Sequence, residues 1–240
     1  MKKLFTVFAV LLAFCAVPVL AKEQGYISVS SDVTREVQPN FAQFNVTVEK
    51  FNVNQAKAIQ ENNEAMNKII AALKKKIGEN NKNALNTTAF SVSPQYTYKD
   101  GKQRFDTYAT RATLKVNVEN LSQISELIET AIINGATTVN GLSFSLKSSN
   151  SYCDEILKQA NIENLKKANA VASTLDKKVS GIKYINASCS QQTYYASAST
   201  NKMLMSARAE GVSFDAANSV PVEKDMIKIY ANVSAEFWVK

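Results

Sequence analysis

Polar and apolar residues alternate most regularly between Tyr108 and Val118. Tyr108, Thr110, Ala112, Leu114, Val116 and Val118 share one side; Arg111, Thr113, Lys115 and Asn117 share the other. A period of two predicts a strand with one face on a core and one face in water. Its partner runs from Leu85 through Phe90 and Val92 to Pro94, and Lys99-Asp100-Gly101-Lys102 supplies an Asp-Gly turn between them. With helical patterns on both sides, this hairpin reads as the centre of a sheet covered by helices. Alternation returns at Tyr26 to Ser31, which Val33 to Val37 continues or turns before Pro39-Asn40 breaks it. It returns again at Ala42, Phe44, Val46 and Val48, at Leu142, Phe144 and Leu146, and from Ile182 to about Ser190. The clearest repeat is C-terminal: Ile227, Ile229, Ala231, Val233, Ala235, Phe237 and Val239.

Three stretches carry helical spacing instead. Asn54 is placed to cap a helix whose apolar face is Ile59, Met66, Ile69, Ile70, Leu73 and Ile77, with Gly78 at its end. Asn120 and Gln123 resemble a capping box ahead of Leu121, Ile124, Leu127, Ile128 and Ala131, closed by Gly135. Ser151 with Asp154 is the expected cap of the third, whose apolar face is Leu157, Ala160, Ala168, Val171, Ala172 and Leu175. The fold class expected is α+β, with a mixed, mainly antiparallel sheet and helices on one face. Residues 42–147 carry the βαββαβ order of a ferredoxin-like plait, followed by an extra helix and C-terminal strands. The helical stretches argue against a membrane β-barrel. Residues 191–222, rich in Ser, Ala and Asn, form a loop longer than an ordinary connection.

The first residues add a destination. Lys2 and Lys3, the apolar run from Leu4 to Val17 and the small-residue end Val19-Leu20-Ala21 predict a cleaved signal peptide over residues 1–21. Phe14 ahead of Cys15 argues against a lipoprotein. Residues 22–240 are therefore expected to be periplasmic, with association at the outer membrane as an extension. The formal charge is +7; without Lys2 and Lys3, 26 basic residues face 21 acidic ones. They are scattered except at Lys74-Lys75-Lys76, which complement a helix end, so no nucleic-acid partner is expected.

Histidine is absent altogether. That removes Ser-His-Asp and Cys-His catalysis, and imidazole metal sites with them. Gly141-Leu-Ser-Phe-Ser145 is one glycine short of a nucleophile elbow. Glu126 with Glu129, or Asp154 with Glu155, would serve as acid and base only from positions where carboxylates are ordinary. The expectation is no enzyme and no cofactor. Met203 and Met205, with Met226, have the softness for Cu(I), but such methionines are more often adaptable contact surface. Tyr96, Tyr98, Phe105 and Tyr108 cluster near the hairpin turn, where they either pack across strands or present a contact patch.

Cleavage leaves two cysteines, Cys153 and Cys189, and an exported pair reads as a disulfide. About 22 residues of helix carry the chain roughly 33 Å away from Cys153. The returning strand retraces about 23 Å, which puts the two sulfurs at the same end. Free thiols and a redox pair are the alternatives.

Taken in order, Ile27-Ser-Val-Ser30, Val37-Gln-Pro-Asn-Phe-Ala42, Ser93-Pro-Gln-Tyr96, Lys99-Asp-Gly101, Gly135-Ala136, Val139-Asn-Gly-Leu-Ser-Phe144 and Val220-Pro-Val222 resemble the SIMPL-domain proteins. These are bacterial periplasmic immunogenic and oxidative-stress defence proteins, and the likeness spans residues 22–240. The chain departs from them at Ser31 and Asp32, where glycines are usual, and in a loop whose methionines are reduced to Met203-Leu204-Met205. The resemblance implies an exported, self-assembling protein without catalytic residues, acting in envelope integrity or oxidative-stress defence. Its partners would be its own copies, then the outer membrane surface or envelope proteins. The alternative function is a periplasmic module binding a small molecule, a lipid or a metal.

Overall fold

A computed structural model describes residues 24–78, 84–195, 222 and 224–240. Among the described residues, eight strands fall into two antiparallel sheets. β1 (Tyr26–Val37) leads through Pro39 into β2 (Phe41–Asn52), then α1 (Gln55–Ile77). β3 (Leu85–Lys99) and β4 (Lys102–Val118) form the hairpin; α2 (Ile124–Ile133) and β5 (Thr138–Ser145) follow. α3 (Asn150–Thr174), β6 (Val179–Gln191), the short β7 (Tyr194–Tyr195) and β8 (Ile227–Val239) complete the chain.

The larger sheet has the order β3-β4-β2-β5-β7, and its first four strands have the neighbours of a ferredoxin-like plait. β4, β2 and β5 are its interior strands, and β3, paired only with β4 among the described residues, lies at the edge. That corrects the expectation of a hairpin at the sheet's centre: β4 is interior, but nearly all of β3 is exposed. Alternation in β4 reported a half-buried strand correctly; it carries no information on whether the neighbour has a further partner. The smaller sheet, β1-β8-β6, places the first and last strands of the chain side by side.

Both sheets lie under helices, and the core joins them. Phe44, Val46, Leu114, Val116 and Phe144 from the larger sheet meet Leu73, Leu127 and Ile128 from α1 and α2. The same cluster takes in Val33, Ile227, Ile229 and Val233 of the smaller sheet and Ile156 of α3. Each large aliphatic or aromatic side chain withdrawn this fully from water contributes about 1.5–3 kcal/mol. The far end of the smaller sheet has only Ala168, Ala235 and Phe237 as its fully buried centre.

α1 is capped as its sequence predicts. The Asn54 side chain accepts from the Lys57 N–H at 3.1 Å, and Gly78 closes the helix at φ 92°. α3 differs. It begins at Asn150, with Ser149 at the cap position and no side-chain cap bond, so Ser151 lies inside the first turn. Its buried stripe is Ile156, Ala160, Asn164, Ala168 and Ala172, spaced four apart, whereas Val171 and Leu175 are exposed. Three alanines let this helix sit close to the sheet; the larger residues flank the contact.

The two long helices rest on their sheets through one device. In α1, buried Asn62 donates through Nδ2 to the carbonyls of Val48 on β2 and Thr110 on β4, both at 2.9 Å. In α3, buried Asn164 donates through Nδ2 to the carbonyl of Val233 on β8 at 2.7 Å. The orders β3-β4-β2 under α1 and β6-β8-β1 under α3 correspond strand for strand. The fold thus repeats one motif twice: a helix over three antiparallel strands, docked by a central asparagine. Asn62→Ala is expected to lower stability by about 1–3 kcal/mol, because buried carbonyls lose their donor. Urea denaturation followed by circular dichroism checks it; an unchanged midpoint would assign no role to the docking bond.

Candidate functional site

The hairpin outruns its sheet. β2 ends in register with Tyr108, at Asn52, so the strands beyond Pro94 and Tyr108 pair only with each other, out to Lys99 and Lys102. At about 3.4 Å per residue, this two-stranded arm reaches roughly 20 Å past its neighbour. Asp100 (φ 54°) and Gly101 (φ 73°) form the tip, with the two positive φ angles of a type I′ turn.

Three of the four candidate aromatics line one face of the arm. Tyr96 meets Phe105 edge-on at 6.2 Å between centroids, and Phe105 meets Tyr108 at 5.0 Å. Phe105 and Tyr108 are an odd number of residues apart, and in a regular strand they would point to opposite faces. A bulge makes them neighbours: the register passes from Gln95 opposite Thr107 to Tyr96 opposite Phe105, leaving Asp106 as the extra residue. No feature of the alternation marks that bulge. Cross-strand packing leaves Tyr96 half exposed at 50% and Phe105 at 46%, while Tyr98 stands apart at 75%. The rings are both packed and presented. Lys99, Asp100, Lys102, Arg104 and Asp106 are exposed around them.

Cys153 and Cys189 are joined by a disulfide with 5.8 Å between Cα atoms. It ties the first turn of α3 to the end of β6, a strand that is exposed along most of its length.

A second cluster escaped sequence reasoning. Tyr26 and Trp238 are register partners on β1 and β8 and meet edge-on at 6.2 Å. Lys183 of β6 sits at a register shift between Ile182 and Tyr184. Its Nζ lies 3.3 Å from the Tyr26 ring centroid, 5.3 Å from that of Trp238 and 2.8 Å from a Glu236 carboxylate oxygen. The hydrogen bond to Glu236 raises the Lys183 pKa above its ordinary value, against a smaller opposing effect of desolvation. One ammonium thus clamps all three strands of the smaller sheet, using a bulge and a ring stack between chain ends that no local pattern encodes.

The other candidates are placed apart. Met203 and Met205, like the signal peptide and most of the 191–222 loop, lie outside the described residues. Met226 is 40% exposed. Among the described residues no three His, Cys, Asp or Glu side chains lie close enough to share a metal. Gly141 (φ 66°) sits at a bulge in β5 opposite Gln43 to Asn45, where an added Cβ would lie 2.9 Å from the Asn45 amide. Ser143 is therefore a buried mid-strand residue opposite Gln43 and Tyr195, not the apex of a strand-to-helix turn. Glu126 pairs with Lys76 at 2.5 Å, and Glu155 pairs with Arg35.

For the disulfide, Cys153→Ser with Cys189→Ser is expected to cost about 3–4 kcal/mol, from the loop-closure entropy of a 36-residue separation. Thermal melting of the variant beside the oxidised protein checks it, and equal midpoints would count against a stapling role.

One comparison places the chain in a family. No curated protein matches the chain. A family model described as SIMPL, a protein of unknown function (DUF541), matches residues 27–237, from the first strand to the last. The chain belongs to the SIMPL family.

Proposed function

We propose that this chain is an exported, non-catalytic scaffold that works by contact. It is exported through residues 1–21, assembles with copies of itself in the periplasm, and serves envelope integrity or oxidative-stress defence. The observation that carries the reading is the hairpin arm. A strand pair that leaves its sheet, with half-exposed rings along one face, has a geometry suited to gripping another molecule. An open edge on β6 among the described residues supports it, since unpaired strands are templates for further pairing. A sequence without histidine fits a protein that holds rather than reacts. The basic and aromatic arm tip also suits an anionic surface, which makes the outer membrane a second partner of the same face.

Light scattering on residues 22–240 is expected to give a mass well above one chain; a monomer at every concentration would remove the assembly. Tyr96→Ser with Phe105→Ser is expected to weaken assembly by about 2 kcal/mol, or some thirtyfold in association constant. Its circular dichroism spectrum should stay native. An unchanged association constant would leave the arm without a part in assembly.

A further inference from the structure

Proteins that remain apart protect their open strand edges with charge, proline, bulges or brevity. Three of the four edges among the described residues are protected in this way. β1 carries Asp32, Arg35 and Glu36, β3 carries Pro94 and two register shifts, and β7 has two residues. β6 has two register shifts before Tyr184 and is the exception beyond them. From Tyr184 to Gln191 its pairing with β8 has no register shift, and the sequence holds no charge, proline or glycine. Its one charged residue, Lys183, is turned onto Tyr26, Trp238 and Glu236. The device that usually guards such an edge is engaged elsewhere.

We infer that the free edge of β6 pairs antiparallel with β6 of a second copy, across a two-fold axis, to make one continuous six-stranded sheet. This rests on the assembly reading above and names its contact.

The ladder shows which groups are available. The Gln192 N–H donates to the Lys228 carbonyl at 2.9 Å, in the same register as Ser190 opposite Tyr230 and Ser188 opposite Asn232. Antiparallel pairs alternate, so Asn186, Ser188 and Ser190 direct their backbone groups to β8. Ile185, Ala187, Cys189 and Gln191 direct theirs outward. An axis at Ser188 sets Ala187 against Cys189 and Ile185 against Gln191 of the other copy. Each outward N–H then meets an outward C=O. Every pair keeps its side chains on one face, and no like charges are opposed, because the stretch carries none.

Apolar side chains beside this edge are half exposed. Ile185 and Ile182 lie opposite buried Ala235 and Phe237, on the α3 face, yet are 43% and 58% exposed. Leu165, 45% exposed, is next to Asn164 on the side of α3 away from Lys167, which reaches β1 at Ser30 and Ser31. α3 itself lies over β8 and β1. Joining two sheets at β6 puts the two α3 helices, each over β8 and β1, about 19 Å apart, four strand spacings. Direct helix contact needs 8–10 Å. The helices therefore stay apart, and the contact is the strand edge itself, with Ile185 of each copy opposite Gln191 of the other.

Ala187→Pro in residues 22–240 is the test. Proline there removes an outward N–H and no bond to β8, which edge strands accept. Sedimentation equilibrium is expected to show at least a tenfold loss in association constant with a native circular dichroism spectrum. Ile185→Lys, which adds the missing edge charge, should do the same. Wild-type hydrogen exchange at Ile185, Ala187, Cys189 and Gln191 is expected to slow as concentration rises. If wild type assembles and both variants assemble equally, the β6 contact is wrong and the assembly reading stands. If wild type is monomeric throughout, both are wrong. If those amides are protected equally at every concentration, the edge is covered within one chain and the inference falls.

Discussion

The seating of two long helices by buried asparagines is the constraint the rest of this architecture depends on. Asn62 binds carbonyls on two adjacent strands, and Asn164 binds one on the central strand of the other sheet. Each Nδ2 reaches its carbonyls from one position of its helix along the sheet, while each Oδ1 is buried without a partner among the described residues. Once α1 and α3 are fixed, the strands beneath them are fixed in order. Ile156 at the start of α3 then enters the core that the larger sheet shares with Val33 and Ile227.

Fixing the middle leaves the periphery thin. At the far end of the smaller sheet the fully buried centre is Ala168, Ala235 and Phe237, and the arm of the larger sheet projects beyond its neighbour. Both regions are held by other means. The disulfide pins one end of β6 to α3, the Lys183 cluster pins the other across three strands, and aromatic contacts stiffen the arm. Regions held in this way can remain ordered while keeping their outer surface open. That combination is what a contact surface needs, because conformational freedom lost on binding would otherwise subtract from affinity.

A two-fold edge contact closes on itself and yields a pair. Larger closed assemblies need a second, different surface on each chain, and the arm contact proposed above would be one, on the other sheet. The proposed activity is thus distributed over two separated surfaces, each made of backbone edge and half-exposed rings. A cleft that gathers reactive groups would be a different kind of object.

The sequence by itself determined the local elements, since a strand's period of two and a helix's period near 3.6 are written wherever one face is buried. It placed the Asn54 cap, the Gly78 end, the Asp100-Gly101 turn and the βαββαβ order, because each is set by neighbours within a few residues. Tertiary structure decided the rest. It put β3 at an edge and divided the strands between two sheets, because partners of a strand are chosen by contacts far along the chain. It moved the face of α3 from Val171 and Leu175 to the Ile156–Ala172 stripe, because the closeness of the sheet favours small residues and admits one asparagine. It brought Phe105 beside Tyr108 through a bulge, and Lys183 onto Tyr26 and Trp238 through another. A bulge shifts every side chain after it to the opposite face, and composition alone records no trace of that shift.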